Sequence, residues 1–304
     1  MTSKQIPSMD LTFVLLLFAL ATVWGGSFFF AEVALREVPP LTVALHRVIW
    51  AVPALFLVVV WQGIHIPGSM KAWLCYFVMG ALNNAIPFSL IFWGQTEIGS
   101  GLASILNSTT AFFGVIVAGI FLADEALTTR KIIGAVFGVL GVAVIMGLDS
   151  LTHFDLSNLA QLAVLGAALS YAFAGVWGRQ FLSGYSPIVN AFGMLVASTI
   201  LMIPVAIFTE GVPVLTLSTE VWASLIAVAI LSTAIAYLLY FKILARAGSA
   251  NLMLVTLLIP PIAVGLSVTF LNENMGKEAL IGFGLIAIGL LVTDGRLLNR
   301  VRQL

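Results

Sequence analysis

Few side chains in this 304-residue chain can do chemistry, and those few sit inside long apolar runs. Asn83-Asn84, His46, Arg47, Tyr76, Tyr171 and Tyr237 all do. A polar or charged group at bilayer depth is expensive unless partnered, so such residues default to functional candidates. Asparagine donates to a carboxylate and accepts from an ammonium group, which suits an amino acid. At least one of Asn83 and Asn84 is expected to face a cavity, and Tyr76 and Gly80 align with Asn83 along that helix. Trp24, Ser27 and Phe28 share a helical face that can stack a planar group or attract a cation. Tyr171, and Tyr237 with Thr233, are placed to close the site from the second half.

The most periodic polar stretch is Gly99 to Glu125, where Ser100, Ser104, Asn107, Ser108 and Ala111 follow the spacing of one helical face. On a membrane helix such a stripe faces protein or a wet cavity, because lipid would leave its groups unpaired. Ser104 and Asn107 are therefore candidate lining residues. His46 is the one group at this depth that ordinarily titrates near neutrality, and a packing histidine is the preferred reading beside a substrate contact. Arg47 lies seven residues past Pro40, roughly 10 Å along a helix axis. It is suited to holding a carboxylate, to snorkelling, or to pairing with Glu32, Glu37 or Glu97, and a structural role is preferred. The doublet Pro260-Pro261 interrupts an apolar run and is the candidate hinge.

These residues need a membrane scaffold. Hydrophobic residues make up 61% of the chain and charged ones 9%, with a mean hydropathy of +1.13, far from the composition of a soluble domain. The 13 basic and 13 acidic residues balance, which argues against nucleic-acid binding. A lone Cys75 excludes an internal disulfide. No zinc-ligand cluster, Walker A sequence or nucleophile elbow is present, so neither a metal, a cofactor nor enzymatic chemistry is expected. Apolar runs of about 20 residues predict ten spans, at 11–31, 41–61, 72–93, 99–122, 131–147, 158–180, 187–208, 220–241, 250–271 and 279–293. Placing both termini in the cytoplasm puts ten of the 13 Lys and Arg on that side, Lys71, Arg130, Arg179 and Lys242 among them.

The halves overlay at a near-constant offset. Pro40 and Pro187 are 147 residues apart, Gly99 and Gly248 149, and Glu125 and Glu273 148. Gly134 and Gly141 map onto Gly282 and Gly289 in the same way. Each copy of the central stretch opens on Gly-Ser and closes on Glu. Five spans per half is odd, so the second copy enters the membrane inverted, with substrate expected between repeats near the midplane. The predicted fold is all-α and integral to the membrane: ten transmembrane helices in two inverted five-helix repeats, 1–148 and 149–304, around a central cavity. Gly134 and Gly138 form a GxxxG pattern assigned to scaffold or to a weak dimer contact.

Trp24-Gly25-Gly26-Ser27, Pro40, Arg47, the run ending Leu122-Ala123-Asp124-Glu125, then Gly134 and Gly141, resemble the drug/metabolite transporter superfamily. The similarity is to its ten-span branch with EamA-type repeats, and within it to the YddG-type exporters of aromatic amino acids. One departure is that Tyr171 stands where Trp24 would map, followed by Ala172 rather than a glycine. The resemblance implies a monomeric or weakly dimeric inner-membrane exporter of amino acids or related metabolites, working by alternating access. Every Asp and Glu falls near a span end or in a loop, so transport is expected to run as facilitated diffusion, with proton-coupled efflux or a pore as alternatives.

Overall fold

A computed structural model describes residues 11–123, 127–146, 156–240, 242–243, 252 and 255–294, and every element within them is helical. Helix α1 spans Leu11–Ala34. A rod over Pro40–Trp61 comprises α2 (Pro40–Ile49) and α3 (Ala51–Trp61). The next, Met70–Gly94, is α4 (Met70–Gly80), a π-helical segment (Ala81–Ala85) and α5 (Ile86–Gly94). Ser100–Phe121 comprises α6 (Ser100–Asn107) and α7 (Thr110–Phe121). Then come α8 (Thr129–Met146), α9 (Leu156–Phe181) and α10 (Pro187–Glu210). Helix α11 (Thr219–Ile226) runs into a second π-helical segment (Ala227–Ile235) that continues as helix to residue 240. Helices α12 (Val255–Phe270) and α13 (Lys277–Asp294) follow.

Seven of these rods are long and apolar enough to cross a membrane, and Leu258–Phe270 is a shorter apolar helix. Their ends obey local chemistry. Pro40 and Pro187 open α2 and α10, where a missing N–H costs nothing. Ser69 and Ser218 cap α4 and α11, accepting from the N–H of Ala72 and Val221. Large side chains such as Trp61 and Phe208 stand exposed around the rods, the surface that lipid covers. The core between rods is built from Phe28, Val43, Tyr76, Phe92, Leu195 and Leu225.

Glycine lets two helices touch backbone to backbone. A Cβ on Gly141 would lie 2.6 Å from the Gly282 carbonyl, and one on Gly282 the same distance from the Gly141 carbonyl. Gly134 and Gly289 repeat the arrangement, so α8 and α13 cross through glycine pairs taken one from each half. Gly138 faces the Phe112 ring instead. The GxxxG surface is thus used inside the chain.

Several connections gather at one end of the bundle, where carboxylates sit on helix N-termini. Glu210 accepts from the N–H groups of Leu41 (2.9 Å) and Thr42 (2.7 Å) and from the Thr42 hydroxyl (2.8 Å), capping α2. Glu273 accepts from the Ser100 N–H and hydroxyl, both at 2.8 Å, and from the Gly101 N–H at 3.2 Å, capping α6. The Glu that closes the second Gly-Ser…Glu stretch therefore seals the opening of the first. Their counterparts Glu125, Gly248 and Ser249 lie outside the described residues. Glu37 accepts from the Ser218 N–H at 2.8 Å, and hydrogen bonds from Ser218, side chain and then main chain, hold its carboxyl below the usual range. The Arg36–Glu220 pair at 3.0 Å is solvent-exposed and adds little.

Candidate functional site

The two π-helical segments carry the most concentrated polar chemistry in the bundle. A π turn widens the helix by one residue and loosens its hydrogen-bond ladder, a distortion found mostly at functional positions. The first segment contains Asn83 and Asn84, the second Ser232 and Thr233. Asn84 is fully buried, and its Nδ2 donates to Ser198 Oγ at 3.2 Å. Asn83 Nδ2 donates to the Tyr237 hydroxyl at 3.1 Å, and that hydroxyl donates to Asn84 Oδ1 at 3.4 Å. In the second segment Thr233 Oγ1 donates to Val228 O, five residues back, closing the wide turn.

Each segment is tied across to a further helix by one serine. Ser232 Oγ donates to Val23 O at 2.7 Å, fastening the second segment to α1 beside Trp24. Ser170 Oγ donates to Leu82 O at 2.7 Å, fastening α9 to the first segment beside Tyr171. Trp24 lies half-buried, its ring 5.9 Å from that of Tyr240 and tilted 48° to it.

Arg47 joins this group. Its side chain is buried, its Nε donates to Thr233 Oγ1 at 3.1 Å, and Nη2 makes a long 3.4 Å bond to Ser232 O. The guanidinium carbon stands 3.9 Å over the Phe88 ring and 5.8 Å from that of Phe92, within range of a cation–π attraction. The hydroxyls of Tyr171 and Tyr237 lie within its electrostatic reach. No carboxylate among the described residues comes within ion-pairing distance of it, so Glu32, Glu37 and Glu97 are not its partners. The guanidinium keeps about three of its five N–H groups uncommitted. The sequence signal was present, an arginine in mid-span, but the neutral character of its neighbours was not.

Other candidates are placed apart from this cluster. The Tyr76 ring packs on Gly193, where any side chain would overlap it, and its hydroxyl donates to Asn190 Oδ1 at 3.2 Å. His46 is buried between two tryptophans: Trp50 Nε1 donates to its Nδ1 at 2.8 Å, and Trp222 meets it edge-on at 5.6 Å. Its Nε2 meets no partner. Ser27 and Ser104 turn their hydroxyls back to Trp24 O and Gly101 O on their own helix, both at 2.7 Å. Phe28 is core, and its carbonyl accepts from Gln95 at 2.9 Å. Asn107 ends α6 at the break before Ser108-Thr109, with a buried Oδ1 that meets no donor. Pro260 and Pro261 lie inside α12, the first buried and the second exposed. There α1 comes so close that a Cβ on Gly25 would lie 2.9 Å from Ile262 and 3.1 Å from the Ile259 carbonyl.

Comparison with known proteins agrees with this architecture. The family model described as the EamA-like transporter family matches the chain twice, over residues 11–147 and 158–293. A transporter of Bacillus subtilis, YvbV, is 26% identical over 96% of this chain and 93% of its own length. A probable amino-acid metabolite efflux pump of Escherichia coli is 25% identical over 90% of this chain and 91% of its own. A solved crystal structure superposes with a TM-score of 0.67 over 95% of this chain and 99% of that one, at 18% identity, which speaks to fold alone. The chain belongs to the EamA-like transporter family, a multi-pass membrane transporter of small molecules within the drug/metabolite transporter superfamily.

Proposed function

We propose that the protein exports amino acids, aromatic ones included, across the inner membrane by alternating access, with Arg47 holding the substrate carboxylate. The observation that carries this is a buried, always-charged guanidinium among hydroxyls and aromatic rings, with no carboxylate of the described residues in pairing range. An uncompensated cation in apolar surroundings is costly, and a charge-bearing ligand relieves it. The Asn83 carboxamide oxygen, which accepts no bond within the described network, is available to an ammonium group. Phe88 and Phe92 offer aromatic surface beside Arg47.

The scaffold we infer is ten helices in two inverted repeats, 1–148 and 149–304, with both termini cytoplasmic and the site between the halves. The doubled family match, the reciprocal glycine crossing of α8 on α13 and the matching π-helical segments support it. Counterflow of radiolabelled phenylalanine into liposomes holding the purified chain tests the reading. Saturable exchange with unlabelled aromatic amino acids is expected, and single-channel currents would favour a pore. Sugar phosphates, which need several buried cations to neutralise them, are expected not to exchange, and their uptake would overturn the assignment.

A further inference from the structure

The end of the bundle that the caps close holds a second buried polar group, built around Glu32 in the last turns of α1. Gln95, at the end of α5, is 3% exposed, and its Nε2 donates to Phe28 O at 2.9 Å and to Glu32 Oε2 at 3.2 Å. Its Oε1 is buried and meets no donor. Buried carbonyls without a donor are rare and call for a specific cause. An ionised carboxylate has only acceptors to offer, whereas a carboxylic acid has one O–H. An acid and a primary amide pair face to face through two bonds, N–H to the acid carbonyl and O–H to the amide carbonyl. Half of that pair stands here, and the half that is missing is the one that needs a proton.

We propose that Glu32 is a proton-binding site, protonated when this end of the carrier is closed and ionised when it opens to water. The step is simple: the carboxylate takes one proton from water on that side, the new O–H donates to Gln95 Oε1, and no other bond changes. Charged groups acting on Glu32 are Glu273, from the second half, and Arg36, four residues on in the turn after α1 and tied to Glu220 of α11. Ser100 and Gly101 of α6 donate to that Glu273, the neutral Gln95 follows α5, and Glu97 is exposed. Glu32 and Glu273 come from opposite halves, so protonating one removes a like-charge repulsion that would otherwise push the halves apart. Acid therefore favours the closed end, and by reciprocity closing takes up a proton. This rests on the alternating-access reading and departs from the facilitated diffusion expected from sequence, because a carboxylate near a span end is here set against a buried amide.

The test uses the full-length chain in nanodiscs, with Cys75 replaced by Ser and spin labels on Thr96→Cys and Val214→Cys, exposed positions at this end from opposite halves. In the parent chain the labels should draw together as pH falls, and infrared titration should show one carboxylic-acid carbonyl band growing over the same interval. Glu32→Gln, which supplies a permanent N–H to Gln95 Oε1, should stay closed at every pH and lack that band. A Glu32→Gln variant with the parent's pH profile would overturn the proposal. So would a distance that follows sodium against choline at fixed pH, which would make this a sodium site. If the variant does not fold, the parent titration decides alone, and a pH-independent distance overturns the site. None of these readouts needs substrate, so failure here is separable from failure of amino-acid export.

Discussion

Seven residues after the proline that opens its helix, the first half places Arg47 and the second half places Met194. Each reaches the π-helical segment of the other half: Arg47 donates to Thr233 and Ser232 in the second, and Met194 Sδ accepts from Asn83 in the first. The backbone irregularity is shared, and so is the serine tie, Ser232 to Val23 and Ser170 to Leu82. The side chains over the segments differ, a cation in one case and a soft, apolar thioether in the other. A duplicated scaffold thus presents an unsymmetrical site. An amino acid is itself unsymmetrical, with an anionic group, a cationic group and a side chain that require different neighbours.

The difference can be broken at its strongest point. Arg47→Leu should lower transport of aromatic amino acids by roughly 30-fold to several thousand-fold, the equivalent of about 2–5 kcal/mol for a buried charge pair with substrate. Thermal stability of the empty protein should stay level or rise, because no carboxylate among the described residues is orphaned by the change. Loss of both together, measured as counterflow and melting at matched membrane levels, would return Arg47 to a structural role. Asn83→Ala comes next, with transport reduced roughly ten-fold through a lost hydrogen bond to a charged partner. Asn84→Ala, which strips a fully buried donor–acceptor pair from Ser198 and Tyr237, should act on stability instead.

The symmetric part of the molecule should answer symmetrically. Gly141→Ala and Gly282→Ala each force a Cβ to within 2.6 Å of the other glycine's carbonyl. Both are expected to destabilise by about 1–3 kcal/mol and to the same extent, read as equal drops in melting temperature. Unequal drops would show that the crossing of α8 on α13 is not shared evenly between the halves. Smallest of all is Met194→Leu, a volume-conserving change with no hydrogen bond to a charge, which should alter transport less than about three-fold. A larger loss would mean that Met194 touches the substrate as Arg47 does.

Much of this was legible from residue order. The apolar runs marked the rods, Pro40 and Pro187 marked helix starts, and the stripe through Ser104 and Ser108 correctly announced a protein-facing surface, both residues being buried. The glycines matched by the offset meet crosswise, Gly134 with Gly289 and Gly141 with Gly282, a contact the offset alone does not specify. The π-helical segments were not legible, since one extra residue per turn leaves no mark on a short apolar window. Nor were the partners of Arg47 or the caps at Glu210 and Glu273, which span 168 to 186 residues of sequence. Tyr76 shared a helical face with Asn83, yet seven residues of helix separate it by roughly 10 Å. Its ring fills the space that Gly193 leaves.

The most direct test of the central claim is equilibrium binding of phenylalanine against phenethylamine, the same molecule without its carboxylate, to the parent chain and to Arg47→Leu. The account predicts a preference for phenylalanine of at least about 30-fold in the parent, the lower bound for a buried charge pair. In Arg47→Leu that preference should vanish while phenethylamine binding is unchanged. A preference that survives the substitution would contradict it, and the carboxylate would have to be held elsewhere.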